Sequence, residues 1–192
     1  MFRGTGNNLT KKTIILFLLL FLVFLVINSK IPWKLVYPIH YQEEIILNAK
    51  EYNVDPYLIL SIIQVETRFQ PDKVSKKGAM GLMQLMPNTA AWIIEEGKFP
   101  EKFLQQTFEP SVNIELGTWY LSKLLSKYNH NLVMVIAAYN AGPGNVDKWI
   151  QDGIWDGSYE QVQNVPIGET RHYVQRVVHY FEQYQWIYED HF

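Results

Sequence analysis

Between Lys12 and Lys30 the chain carries no charge for 17 residues, and its centre, Thr13 to Ile27, reads TIILFLLLFLVFLVI. A segment apolar on every side has no face to offer water, so it cannot be an ordinary surface helix. Three fates remain: a membrane span, a secretory leader, or a helix buried in a core. The length is at the short end for a helical span and at the upper end for a leader core. Asn28, Ser29, Lys30, Ile31 and Pro32 form no small-residue cleavage site, which favours a retained anchor. Trp33 and Tyr37 suit a membrane–water interface. Arg3, Lys11 and Lys12 precede the run and Lys30 and Lys34 follow it, a weak bias toward an inside N-terminus. The expected organisation is a basic tail over 1–12, a transmembrane anchor over 13–29, a juxtamembrane linker over 30–40 and one domain over 41–192. That domain would face outward from the cell membrane on a single span.

Charge separates the two parts. The first acidic residue is Glu43, and five of the 17 basic residues precede it, leaving 12 basic against 19 acidic residues, a net of −7. Nucleic-acid binding needs basic patches, so this domain is a poor fit for a polyanion. Cysteine is absent, which removes disulfides, thiolate metal sites and thiol nucleophiles together.

From about His40 onward the pattern is helical. Ile46, Ala49 and Tyr52 are spaced for one helix over 43–52. Asp55-Pro56 is a cap followed by proline at the first helical position, opening a helix expected to reach about Arg68. Pro87 and Pro110 open two more, and 132–140 is short and apolar. Gly142-Pro143-Gly144 makes a stiff turn between two helices. A last helix is expected from Glu169 to about Tyr188. No convincing alternating strand is present, so the fold class is all-α, in a unit large enough for a real core.

Four segments could carry chemistry. Glu66 sits among Ile62, Ile63, Val65 and Phe69. Lost hydration disfavours a charged carboxyl and raises its pKa, which is how a glutamate becomes a general acid near neutral pH. It could equally be a solvated residue, or the ion-pair partner of Arg68 or Lys77. The second segment runs from Ser75 to Pro87 and sets Gly78, Gly81 and the amide of Gln84 among apolar residues. Gln84 offers both donor and acceptor, as a sugar would need, although an ordinary turn with methionine filler has the same composition. The third, Ala138 to Trp149, fixes Tyr139 and Asn140 at a helix end, as cleft residues or as a buried ring and a cap. The fourth, Pro166 to Val174, holds Glu169 at a helix start, where capping alone would also place an acid. The five histidines form no metal-ligand set, and no phosphate cradle is present.

Together these segments read E-x-x-F, S-x-x-G-A-x-G-L-M-Q-L-M-P-x-T-A, A-Y-N-A-G-P-G-x-V-x-x-W and P-x-x-E-T-R-x-Y-V. In that order they resemble the lytic transglycosylases of the soluble-transglycosylase type, over roughly residues 43–185. The resemblance implies a lysozyme-like helical fold related to goose-type lysozymes. It implies Glu66 as the catalytic acid and base, with Ser75, Gln84, Met86, Tyr139 and Glu169 lining the substrate cleft. Three positions depart from the usual pattern: Thr67 where serine is common, Lys73 where alanine is usual, and Ile167 where an aromatic is common.

The implied substrate is the glycan strand of peptidoglycan, cut at the β-1,4 bond between N-acetylmuramic acid and N-acetylglucosamine with formation of a 1,6-anhydro sugar. One carboxyl serves, and neither metal nor cofactor is called for. A muramidase that hydrolyses the same bond, with Glu169 or another acid placing water, is the nearest alternative. A tethered wall-binding module that has lost activity is the other, though such a module has no reason to keep the acid.

Overall fold

The uncharged run forms one helix, α1 (Gly6–Asn28). The computed structural model describes residues 6–189 and 192, so the expected tail charge Arg3 lies outside the described residues. Helix α1 continues through the boundary expected at residue 12, because Lys11 and Lys12 are good helix formers. Every side chain from Ile14 to Ile27 is exposed, and the apolar stretch Thr10–Ile27 is wholly unburied. A core helix would be covered. Eighteen residues at 1.5 Å each reach about 27 Å, close to the hydrocarbon thickness of a bilayer. After a bend at Ser29, whose hydroxyl donates to the Val26 carbonyl at 2.8 Å, comes α2 (Ile31–Val36). The segment expected as a juxtamembrane linker contains this short helix, which Pro32 opens with its preset φ.

The chain divides into two units, residues 1–38 and 39–192. The second contains α3 (Gln42–Tyr52), α4 (Pro56–Glu66), α5 (Pro87–Gly97), α6 (Pro110–Lys127), α7 (Leu132–Ala141), α8 (Pro143–Gln151) and α9 (Gly168–Ile187). Single 3-10 turns stand at Glu101–Leu104 and Val162–Asn164. Among the described residues, β pairing is confined to two isolated bridges, Val74 with Met80 and Met80 with Leu85. The fold is all-α.

Helix α4 is the centre. Every residue from Tyr57 to Ile63 is buried, as expected of a helix apolar all round. It packs chiefly on α9 and also on α3, while α7 packs on α6, α8 and α9, and α6 carries α3 and α5. The Asp55 side chain accepts from the Tyr57 amide at 2.8 Å, and Pro56 takes the first turn. These two residues fix where α4 begins. It ends two residues earlier than expected. Arg68 and Phe69 both take left-handed backbone, with φ of 52° and 62°, and the chain turns back on itself. That turn leaves Glu66 as the last helical residue, where a side chain can emerge from the core.

Candidate active site

Glu66 is half-buried at the end of α4. Burial pushes its carboxyl up to about 7 from an ordinary 4.5. Tyr173, Lys73 and Arg176 oppose the rise by favouring the charged form, and Glu169 reinforces it. The ion-pair alternatives fail on geometry: Lys77 pairs instead with Glu169 at 3.4 Å, and Arg68 points its exposed side chain from a reversed backbone. Desolvation therefore wins over pairing, as a proton-bearing carboxyl requires.

The loop after α4 is held by side chains outside it. Thr67, fully buried, donates to the Leu82 carbonyl at 2.9 Å. Ser75 Oγ accepts from the amides of Lys77 and Ala79 at 3.2 and 2.9 Å, closing a tight turn over Gly78. The buried Asn113 of α6 accepts from the Met83 amide at 2.7 Å. It donates to the carbonyls of Met80 and Thr107 at 3.1 and 2.8 Å. Gly81 passes so close that a Cβ there would stand 2.3 Å from Asn113 Nδ2, and its φ is +73°. Glycine is required at that position. Gln84 has φ of 49°, strained for a side-chain-bearing residue. Its amide nitrogen donates to the carbonyls of Lys73 and Gly81 at 3.0 and 2.8 Å. The amide oxygen is the atom left for a ligand's donor.

The last motif divides its work residue by residue. Arg171 donates to the Val165 carbonyl at 2.7 Å and staples the turn before α9. Thr170 donates to Asn140 Oδ1 at 2.7 Å and ties α9 to the end of α7. Glu169, Tyr173 and Arg176 share one face of α9 by their spacing, and all three act on the Glu66 carboxyl. The Tyr173 hydroxyl is buried without a partner at full hydrogen-bonding geometry. It is nonetheless near enough to the Glu66 carboxyl to favour the carboxylate. The Tyr139 hydroxyl donates to the Met83 carbonyl at 2.9 Å, which sets the ring as a fixed wall of the cleft.

One cleft of about 470 Å³ gathers Glu66, Ser75, Gln84, Met86, Tyr139 and Glu169, all six of the residues singled out from the sequence. Lys76, Lys77, Ala79 and Asn140 complete its lining. A smaller cavity continues it past Tyr139 to Tyr120, Thr89 and Gly142. A larger one, about 780 Å³, lies between α5 and the 101–104 turn. Its carboxylates, Glu95 and Glu101, are exposed, so size does not select it over the cleft. Asn140, open in the sequence between a cleft residue and a cap, lines the cleft. Three residues matter here that sequence reasoning missed. Tyr173 has the spacing of an ordinary core position on the last helix, and Lys73 stood only as a departure from pattern. Asn113 gave no signal at all, since it touches the loop only through the fold.

The chain matches the Transglycosylase SLT domain family over residues 43–161, well over half its length. It belongs to the SLT transglycosylase family. A soluble lytic murein transglycosylase of Salmonella typhimurium is 31% identical over 151 residues, 78% of this chain and 23% of that one. A membrane-bound lytic murein transglycosylase C of Edwardsiella ictaluri is 38% identical over 107 residues, 51% of this chain and 30% of that one. An inactive Glu-to-Gln mutant of the lytic transglycosylase Slt from Pseudomonas aeruginosa superposes with a TM-score of 0.72. It is 36% identical, covering 80% of this chain and 25% of that one. This SLT chain spans about a quarter of the length of such soluble relatives. The residues that match the family, 43–161, include Glu66 and the glycine loop.

Proposed function

We propose that this chain is a membrane-tethered lytic transglycosylase. It cleaves peptidoglycan glycan strands between N-acetylmuramic acid and N-acetylglucosamine and leaves a 1,6-anhydro-muramic end. The observation that carries this reading is a single carboxyl, kept proton-bearing near neutral pH by burial, in a cleft lined with amide, hydroxyl and aromatic groups. Protonated Glu66 donates to the glycosidic oxygen as the C1–O bond breaks. The resulting carboxylate takes the proton of the muramic C6 hydroxyl, whose oxygen bonds to C1. The proton returns to Glu66, and no water enters. A pKa near 7 suits both halves of that cycle. Ser75, Gln84, Met86, Tyr139 and Glu169 position the strand. Glu169 is exposed and engaged with Lys77, which fits binding better than activation of water.

Two measurements test this. Mass spectrometry of digests of purified peptidoglycan should find muramic ends lighter by one water than hydrolysis products. Reducing ends carrying added water would instead establish a muramidase, with Glu169 or another acid placing the water. Cell fractionation should recover full-length protein in the membrane, with residues 41–192 open to protease added from outside. A soluble form beginning near residue 30 would contradict the anchor.

A further inference from the structure

We propose that Lys73 is a positioning residue for Glu66: its ammonium clamps the Glu66 main-chain carbonyl and holds a positive charge beside the Glu66 side chain. The inference rests on Glu66 serving as the acid. Lys73 Nζ donates to the Glu66 carbonyl oxygen at 2.5 Å. That carbonyl belongs to the last turn of α4, whose terminal carbonyls have no helical partner and carry the negative end of the helix dipole. A lysine there is a compact point charge on a flexible stem. The same residue's own carbonyl accepts from the Gly81 amide at 3.1 Å and from Gln84 Nε2 at 3.0 Å. Lys73 therefore joins the acid-bearing helix end to the amide on the other side of the cleft.

The charge has a chemical consequence. Five groups face the Glu66 carboxyl: Lys73 from the loop, Glu169, Tyr173 and Arg176 from α9, and Tyr139 from α7. Tyr173 and Arg176 also favour the carboxylate and Glu169 opposes it, but Lys73 is the exposed one of these that also bonds to the residue's backbone. An ammonium that stabilises the carboxylate lowers the pH above which Glu66 can no longer donate. It also makes the carboxylate a better-tolerated intermediate between the two proton transfers.

The test is a set of pH–rate profiles on full-length protein in detergent micelles, with purified peptidoglycan as substrate. In Lys73→Met the alkaline limb should move up by about 0.2–0.7 of a pH unit, the range that an exposed ion pair supplies. In Lys73→Arg, which keeps the charge, the limb should stay at its wild-type position. Raising ionic strength should shift the wild type toward Lys73→Met and narrow the gap between the two. A limb in Lys73→Met that coincides with wild type overturns the proposal, and so does a Lys73→Arg limb that moves with it. Carbon-13 titration of the Glu66 carboxyl, assigned by its loss in Glu66→Gln, reads the same shift without turnover. Absence of anhydro product from the wild type would remove the proposed function, while the titration would still decide the role of Lys73.

Discussion

Glu66→Gln is expected to abolish glycan cleavage and, at pH 7 and above, to melt higher than the wild type. Glutamine keeps the shape of the protonated acid but has no catalytic proton to give, and loss of general acid catalysis alone costs about 10²–10⁴ in rate. The stability effect follows from the raised pKa, about 7 in the folded protein against 4.5 in the unfolded chain. Below pH 4.5 both states hold the proton, and Glu66 imposes no penalty. As pH rises from 4.5 through 7 the unfolded chain releases its proton first, and the wild type loses stability across that window. Above pH 7 the loss is complete and constant. A shift of this size corresponds to about 3 kcal/mol at 1.36 kcal/mol per unit, and partial exposure reduces it to roughly 2–3 kcal/mol. For a domain of this size that is roughly 4–10 °C in melting temperature. Melting curves of the two proteins at pH 4 and pH 8 check it, with coincidence expected at the lower pH. An active glutamine variant would remove Glu66 from the chemistry. A variant that melts well below wild type at pH 8 would make Glu66 a structural partner and end the desolvated-acid account.

What could be read from the sequence follows the range of the interactions. The start of α4 was legible because Asp55 and Pro56 act within three residues of each other. The apolar surroundings of Glu66 were legible because its neighbours lie within one helical turn, but they left a solvated or ion-paired carboxyl equally open. Its end was not, since two left-handed residues without glycine, Arg68 and Phe69, leave no composition signal. The same distinction divides the cleft. Gln84 and Tyr139 stand in glycine-flanked runs that announce a special backbone, and both line the cleft. The partner of the Tyr139 hydroxyl, the Met83 carbonyl 56 residues away, was not readable because only packing brings the two together. Tyr173 was hidden differently: its spacing on α9 is that of an ordinary core position, and only the convergence of α4 and α9 turns it toward a carboxyl. The N-terminal run shows the opposite limit, since a helix apolar on every side needs no tertiary partner to be recognised.

Asn113→Ala is expected to be among the most damaging single changes away from the cleft surface, because three backbone groups bond to that one amide and two of them have no other partner. The Met83 N–H would lose its acceptor and the Thr107 carbonyl its donor, while the Met80 carbonyl would keep the Leu85 amide at 3.0 Å. Asn113, Met83 and Thr107 are fully buried, so water does not replace those two bonds. A buried polar group left unpaired costs about 1–3 kcal/mol; two that share a loop are not additive, and about 2–5 kcal/mol in all is expected. That is roughly 4–20 °C in melting temperature. Turnover should fall even where the variant remains folded, because Met80 and Met83 flank the turn that seats Gln84 in its strained conformation. Asn113→Asp separates the two functions of the amide. Its carboxylate still accepts from the Met83 amide but sets negative oxygen against two carbonyls. The aspartate variant should therefore be worse at pH 7 than at pH 4, where a protonated carboxyl regains one donor. Thermal melts of both variants at the two pH values, with turnover measured well below the transition, give the answer. If the alanine variant lies within about 1 kcal/mol of wild type at pH 7, Asn113 is not the pin of the glycine loop. The close approach of Gly81 to its amide would then need another explanation.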